Sequence, residues 1–178
     1  MIIPEYVIVK NEDFRPMLKL KQTYEWDWDG LETCTDLVNM LIDCFDINKL
    51  AEEYMFVAAF SATSEFLGIF NVAHGSCKEV YVGRREVFIF LLLIGAVQFV
   101  LVHNHPSGSL EISDDDEELT NAFKELGEEI EIELSEHVIV SSKGYVFITA
   151  NETHELEDLN YFDAIFDYIN NKEDENAR

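Results

Sequence analysis

VFIFLLLIGAVQFVLV, residues 87–102, is the stretch on which the fold turns. Its sixteen residues fall short of the roughly 20 that a membrane-spanning helix needs, and they include Gln98. Gly95 interrupts the run and His103 follows it at once. It therefore reads as a buried helix over about 84–96 followed by a buried strand over about 98–102. Val87 to Ile94 is apolar all round when wound as a helix, so a single stripe against a sheet cannot bury it. Its outer face needs a cover. The candidates are a C-terminal helix carrying Leu159, Phe162, Phe166 and Ile169 or, failing that, a second copy of the chain in a homodimer.

Outward from that run the elements alternate. Tyr54 to Ala62 is apolar on both faces, as a central strand covered on both sides is, and Glu53 stands at its entrance. Phe66 to Ala73 predicts a neighbouring strand, and Glu5 to Val9 a first one whose edge is marked by Pro4. Thr33-Cys-Thr-Asp36 has the form of a capping box, and Leu37, Val38, Leu41, Ile42 and Phe45 recur at helical spacing, so a helix is expected over about 35–45. Downstream, Asp114 to Leu126 reads as a helix closed by Gly127. Ile130–Leu134, His137–Val140 and Tyr145–Thr149 read as three short strands. Residues 151–170 are expected to hold the C-terminal helix and 171–178 an acidic mobile tail. No repeat or long linker divides the chain, and alternating helices and strands make an α/β sandwich.

Composition narrows the function. With 12 Lys and Arg against 36 Asp and Glu, the 178-residue chain carries a formal charge of −24. Phosphate binding rests on cationic side chains, so a general affinity for nucleic acid is excluded. An apolar fraction of 48 % and thirteen Phe are too high for a disordered acidic chain. Cys34, Cys44 and Cys77 form no paired metal motif and are odd in number, which fits reduced thiols. The first residues carry no export signal, so a soluble cytoplasmic protein without a membrane span is expected. Glu25-Trp-Asp27-Trp-Asp29-Gly30 departs from a calcium loop at its first and last ligand positions and reads as an acidic turn. The twelve acidic residues between Glu111 and Glu136 read as a solvated face. His74 and His154 carry no motif of their own and read as loop residues, and Cys77 reads as a buried small hydrophobe.

The chemistry concentrates in Val102-His103-Asn104-His105-Pro106-Ser107-Gly108 and, beyond it, Ser113-Asp-Asp-Asp116. If the strand continues to residue 105, its two-residue period puts His103 and His105 on one side and Asn104 on the other. Pro106 to Gly108 break the strand, and Ser113 opens a helix whose first turn carries Asp116. Two imidazoles and a carboxylate form a three-ligand metal site with a position left for water, as in catalytic zinc. Ser-x-x-Asp alone would be an ordinary helix start, and a single His an ordinary polar residue. The conjunction favours the metal.

H-x-H, seven residues, S, two residues, D is the signature of the JAMM (MPN-plus) metallopeptidases, and His103, His105, Ser113 and Asp116 fill it. HNHPSG followed by a strand reading EHVIV resembles the RadC-like branch of the JAB-domain proteins, with Thr120 and His137 at two further positions and Glu136 where that branch has Asp. Glu53-Tyr-Met-Phe-Val-Ala-Ala-Phe60 resembles the strand with the family's catalytic Glu, and Gly75 with Val82 to Phe88 resembles the stretch before its central helix. The likeness covers roughly residues 35–150 and places a domain at 31–150, with residues 1–30 as an extension packed on it. Those first residues do not resemble the helix-hairpin-helix module that often precedes a RadC domain.

The resemblance implies a three-layer α/β/α sandwich with a mixed sheet, of the cytidine deaminase-like class, and hydrolysis of amide or isopeptide bonds in a peptide or protein substrate. Deaminase chemistry itself is disfavoured, because its H-x-E and P-C-x-x-C pair is absent. Zinc at His103, His105 and Asp116 would lower the pKa of its water to about 7. Glu53 would act as general base, with Glu52 the alternative on composition alone. Ser113 would donate to the oxyanion, a role typically worth about 3 to 4 kcal/mol. The competing reading is an acidic binding protein that imitates DNA, with a structural or vestigial metal site.

Overall fold

The structure, a computed structural model, describes residues 1–28, 30–75 and 82–156. In chain order they form β1 (Ile2–Lys10), β2 (Pro16–Glu25), α1 (Cys34–Phe45), a 3-10 turn (Ile47–Lys49), β3 (Tyr54–Phe60), β4 (Phe66–His74), α2 (Arg84–Ile94), β5 (Gln98–Asn104), α3 (Asp114–Glu129), β6 (Glu133–Val140), β7 (Gly144–Phe147) and β8 (Glu152–Glu155). The eight strands make one mixed sheet in the order β2-β1-β4-β3-β5-β6-β7-β8, parallel at β1/β4 and β5/β6 and antiparallel elsewhere.

The run 87–102 divides as its glycine requires. Gly95 takes the left-handed conformation at φ 76° that ends α2, and the chain turns into β5. β5 is central, and its alternate residues serve two cores. Val100 and Val102 face α1 with Phe56, Ala58, Leu37 and Leu41. Phe99 and Leu101 face α2 and α3 with Val57, Val87, Phe90 and Phe123. The result is three layers, with α1 on one face and α2 and α3 on the other. Phe90, Phe99 and Phe123 are fully buried, and each contributes on the order of 1.5–3 kcal/mol through the surface it removes from water.

Several elements differ from the sequence expectation. β2 was not expected. Its residues are mostly exposed, so no apolar alternation announces it, and it is held by pairing with β1. Residues 130–140 do not form two strands: β6 is one strand from Glu133 to Val140, and Ile130 to Ile132 belong to the turn after α3. α3 runs through Gly127 to Glu129. A Cβ at Gly127 would sit 2.3 Å from the Ile132 carbonyl oxygen, so the glycine there permits close packing rather than ending the helix. Residues 152–155, expected to begin the C-terminal helix, pair with β7 as β8. The remainder of that helix, the tail and Cys77 lie outside the described residues. On α2, Leu92 is 63 % and Leu93 44 % exposed, so the apolar outer face anticipated for this helix is open among the described residues. No helix among them is long and apolar enough to cross a membrane.

Candidate metal centre

The two-residue period of β5 continues past its last valine. His103 follows Phe99 and Leu101 onto the α3 face, and Asn104 follows Val100 and Val102 onto the α1 face. The His105 amide donates to the Val140 carbonyl at 2.8 Å, extending the parallel pairing with β6 by one residue. Both imidazoles therefore stand at the carboxyl end of the central strand, with Nε2 atoms 3.1 Å apart. The turn at Pro106 to Gly108 then returns the chain to Ser113, where α3 begins over the same strand end.

Asp116 reaches this point because of how α3 is capped. Its amide donates to Ser113 Oγ, while its Oδ2 accepts from the Ser113 amide at 2.9 Å and the Ser113 hydroxyl at 2.5 Å. That leaves Oδ1 3.1 Å from His103 Nε2, with Oδ2 3.8 Å from His105 Nε2. Glu53, the residue before β3, completes the group, and it, His103 and His105 each offer a ligand atom within 4.8 Å of the others. Glu53 is 8 % exposed. Glu52 turns the other way and meets His74 at 2.5 Å on an exposed surface. The adjacent carboxylates, equivalent in composition, are thus separated by the strand's entry.

Hydrogen bonds fix which nitrogens carry protons. The Thr120 hydroxyl donates to the Asp116 carbonyl at 2.6 Å, so its oxygen accepts from His137 Nδ1–H at 2.7 Å. His137 Nε2 is then an acceptor, and His103 Nδ1–H donates to it at 2.9 Å. At His105, Nδ1–H donates to the Ser109 carbonyl at 3.2 Å. Both histidines are left with Nε2 turned inward, toward each other and Asp116.

The donor set fits a metal ion. Two inward ring nitrogens and a carboxylate oxygen this close need a positive charge among them. Bonds of about 2.0–2.1 Å at tetrahedral angles place donor atoms about 3.3 Å apart, and His103 Nε2 lies 3.1 Å from both His105 Nε2 and Asp116 Oδ1, while the 3.8 Å contact of His105 is with the other carboxylate oxygen, Oδ2. Protonation follows the same logic. Burial, together with the neighbouring His103, pushes His105 below the ordinary imidazole value against the pull of Asp116. Burial lowers His137 further, with His103 adding to it. Burial would raise the Asp116 carboxyl, but His103 and the Ser113 hydrogen bonds outweigh it and hold the group well below the usual carboxylate range.

Asn104 is the residue that sequence reasoning left without a task. On the far face of β5, its Oδ1 accepts from the Tyr54 amide at 2.8 Å and its Nδ2 donates to the Glu52 carbonyl at 3.0 Å. It clasps the backbone on both sides of Glu53. An amide 1 % exposed in an otherwise apolar strand was the available signal. Glu136 does not touch His137's ring; its carboxylate accepts the amides of His137, Thr149 and Ala150. His74 and His154, expected in loops, lie instead in β4 and β8, where pairing brings them onto Tyr54 and Tyr145 at 4.3 and 4.8 Å.

A buried H-x-H strand end, a capping-box Asp and a Glu at the neighbouring strand's entry, set in a layered α/β domain, define a JAB-type candidate metal centre. The model of the RadC-like JAB domain matches residues 31–153, and the chain belongs to that family. A UPF0758 protein of Alkaliphilus metalliredigens is 32 % identical over 110 residues, 62 % of this chain and 47 % of the relative. One of Chlorobaculum tepidum is 32 % identical over 94 residues, 53 % and 42 % of the respective chains. One of Clostridium kluyveri is 27 % identical over 126 residues, 71 % and 54 %. The chain spans about half the length of these relatives.

Proposed function

We propose that this chain is a zinc-dependent hydrolase of amide bonds in peptides or proteins, peptidase or isopeptidase-like. The observation that carries the reading is the hydrogen-bond relay from Thr120 through His137 to His103, which leaves Nε2 of His103 aimed at Asp116 and His105. A site kept only as a remnant of acidic surface needs no such ordering of buried protons. Histidine nitrogen with carboxylate oxygen is a donor set suited to zinc. When bound, the metal would acidify a water to a pKa of about 7 and polarise a carbonyl.

The chain's own residues do the rest. His103, His105 and Asp116 would hold the ion, leaving Glu53 on the neighbouring strand to take a proton from the attacking water and return it to the leaving amine. Ser113 carries the proposed oxyanion role. Its hydroxyl donates to Asp116 Oδ2 in the present arrangement, so donation to substrate requires that it rotate away from that oxygen. The test is elemental analysis of the purified chain together with peptide and isopeptide substrates offered to wild type and Glu53→Gln. Zinc with Glu53-dependent cleavage is the expected result. A chain that takes up no divalent metal would overturn the reading.

A further inference from the structure

Above the donor set lies a cleft of ≈ 1030 Å³, with α3 as one wall. Asp115, Glu118, Ala122 and Glu125 follow at steps of three and four residues and so form one stripe along that wall. Glu111 adds a carboxylate ahead of the helix, and among the described lining residues Arg84 is the one Lys or Arg side chain. None of Glu111, Asp115, Glu118 and Glu125 has an ion-pair partner among the described residues. With Glu53 and Asp116 the cleft holds six carboxylates against one guanidinium, so a bound divalent cation still leaves it negative. Ile112, Leu119 and Ala122, each partly exposed, supply apolar surface in the cleft.

An acidic stripe alone is ordinarily a solvated face. This one belongs to the helix that delivers Asp116 to the donor set, and it leads away from that set along the cleft. We propose that the cleft takes an extended polypeptide segment rich in Lys and Arg, its alkyl stems on the apolar surface and its cationic heads on the α3 carboxylates. From Asp115 to Glu125 the helix rises about 15 Å, which matches about four to five residues of extended chain at roughly 3.3 Å each. The inference names a substrate class for the hydrolase and rests on that reading for its chemistry, although its test does not depend on turnover.

The test is fluorescence anisotropy with Glu53→Gln protein and labelled Gly/Ser dodecapeptides carrying four Lys, four Glu or no charge. The lysine peptide is expected to bind at least about tenfold more tightly than the neutral one, with affinity falling as salt rises. Because the whole chain is acidic, two double variants of equal charge change separate the cleft from the bulk field. Glu118→Gln with Glu125→Gln should remove most of the preference, whereas Glu128→Gln with Glu129→Gln, beyond the cleft, should leave it. All four positions are exposed, so circular dichroism should show an unchanged fold. Equal binding of lysine and neutral peptides, or equal weakening by the two double variants, would overturn the assignment. Cleft-dependent lysine binding in a chain that cuts no peptide would uphold it while removing the hydrolase reading.

Discussion

Thr33 to Asp36 opens α1, and Ser113 to Asp116 opens α3, with the same capping box. In each, the Asp amide donates to the hydroxyl oxygen of the residue three before it, and the Asp Oδ2 accepts that residue's amide and hydroxyl. At α1 the carboxylate bonds stay local: Asp36 Oδ2 serves Thr33 and the Glu32 amide, at the rim of the domain. At α3 the cap sits over the end of the central strand, and Asp116, 9 % exposed, presents its second oxygen to His103. The local device is identical, and the difference lies in what faces the remaining oxygen. Tertiary placement, which four residues of sequence do not contain, is what turns a capping carboxylate toward the histidines.

The largest expected effect breaks the α3 side alone. Purified wild type should carry about one metal per chain, and His103→Ala with His105→Ala should carry almost none, since a three-ligand site cannot readily hold an ion on one ligand. Asp116→Ala should also lose most of its metal while Asp36→Ala keeps it. Full occupancy in the double histidine variant would show that the ion sits elsewhere.

Next in size is the base. Glu53→Gln should retain metal and lose about 10²- to 10⁴-fold in turnover of whichever peptide wild type cuts, while Glu52→Gln stays near wild type. Equal losses in both would mean that the strand entry does not separate the two carboxylates. Thr120→Val tests the outer relay. It removes the hydroxyl that fixes His137, and metal affinity by competition with a chelator should fall about 10- to 100-fold, with Thr120→Ser restoring it. The smallest effect returns to the caps. Thr33→Ala and Ser113→Ala should each cost about 1 kcal/mol in urea unfolding of metal-free protein. An effect on metal affinity is expected for Ser113→Ala alone.

What the sequence made legible follows from burial. β3, β4 and β5 are apolar because they lie between two cores, α2 covers one of those cores, and their patterns carried the layer architecture. His103, His105 and Asp116 were legible because strand period and capping chemistry are local rules. β2 and β8 were not: edge strands answer to a partner's backbone rather than to a core face, and Lys19, Lys21, Glu152 and His154 give no apolar alternation. The continuation of α3 past Gly127 depended on the Ile132 carbonyl, brought close only by the fold. Asn104's clasp joins residues about fifty positions apart, and no local rule reports such a bond.

The relay begins at the side chain of Asp116 and, through His103, His137 and Thr120, comes back to that residue's own carbonyl. Four residues from two strands and a helix thus share one closed ring of contacts, three of them hydrogen bonds. Turning the His137 ring over would set carbon against the Thr120 oxygen and the His103 Nδ1–H, and turning His103 over would break its bond to His137, so the relay holds both rings. The candidate site is therefore shaped by the fold alone, and the proposed ion would meet it ready-made. In kinetic terms, uptake should resemble filling a rigid chelator, limited by shedding of the ion's water and by access through the cleft, with no accompanying folding phase. Chelation should correspondingly empty the site and leave the sheet's amide exchange nearly unchanged, unlike small domains whose metal is their core.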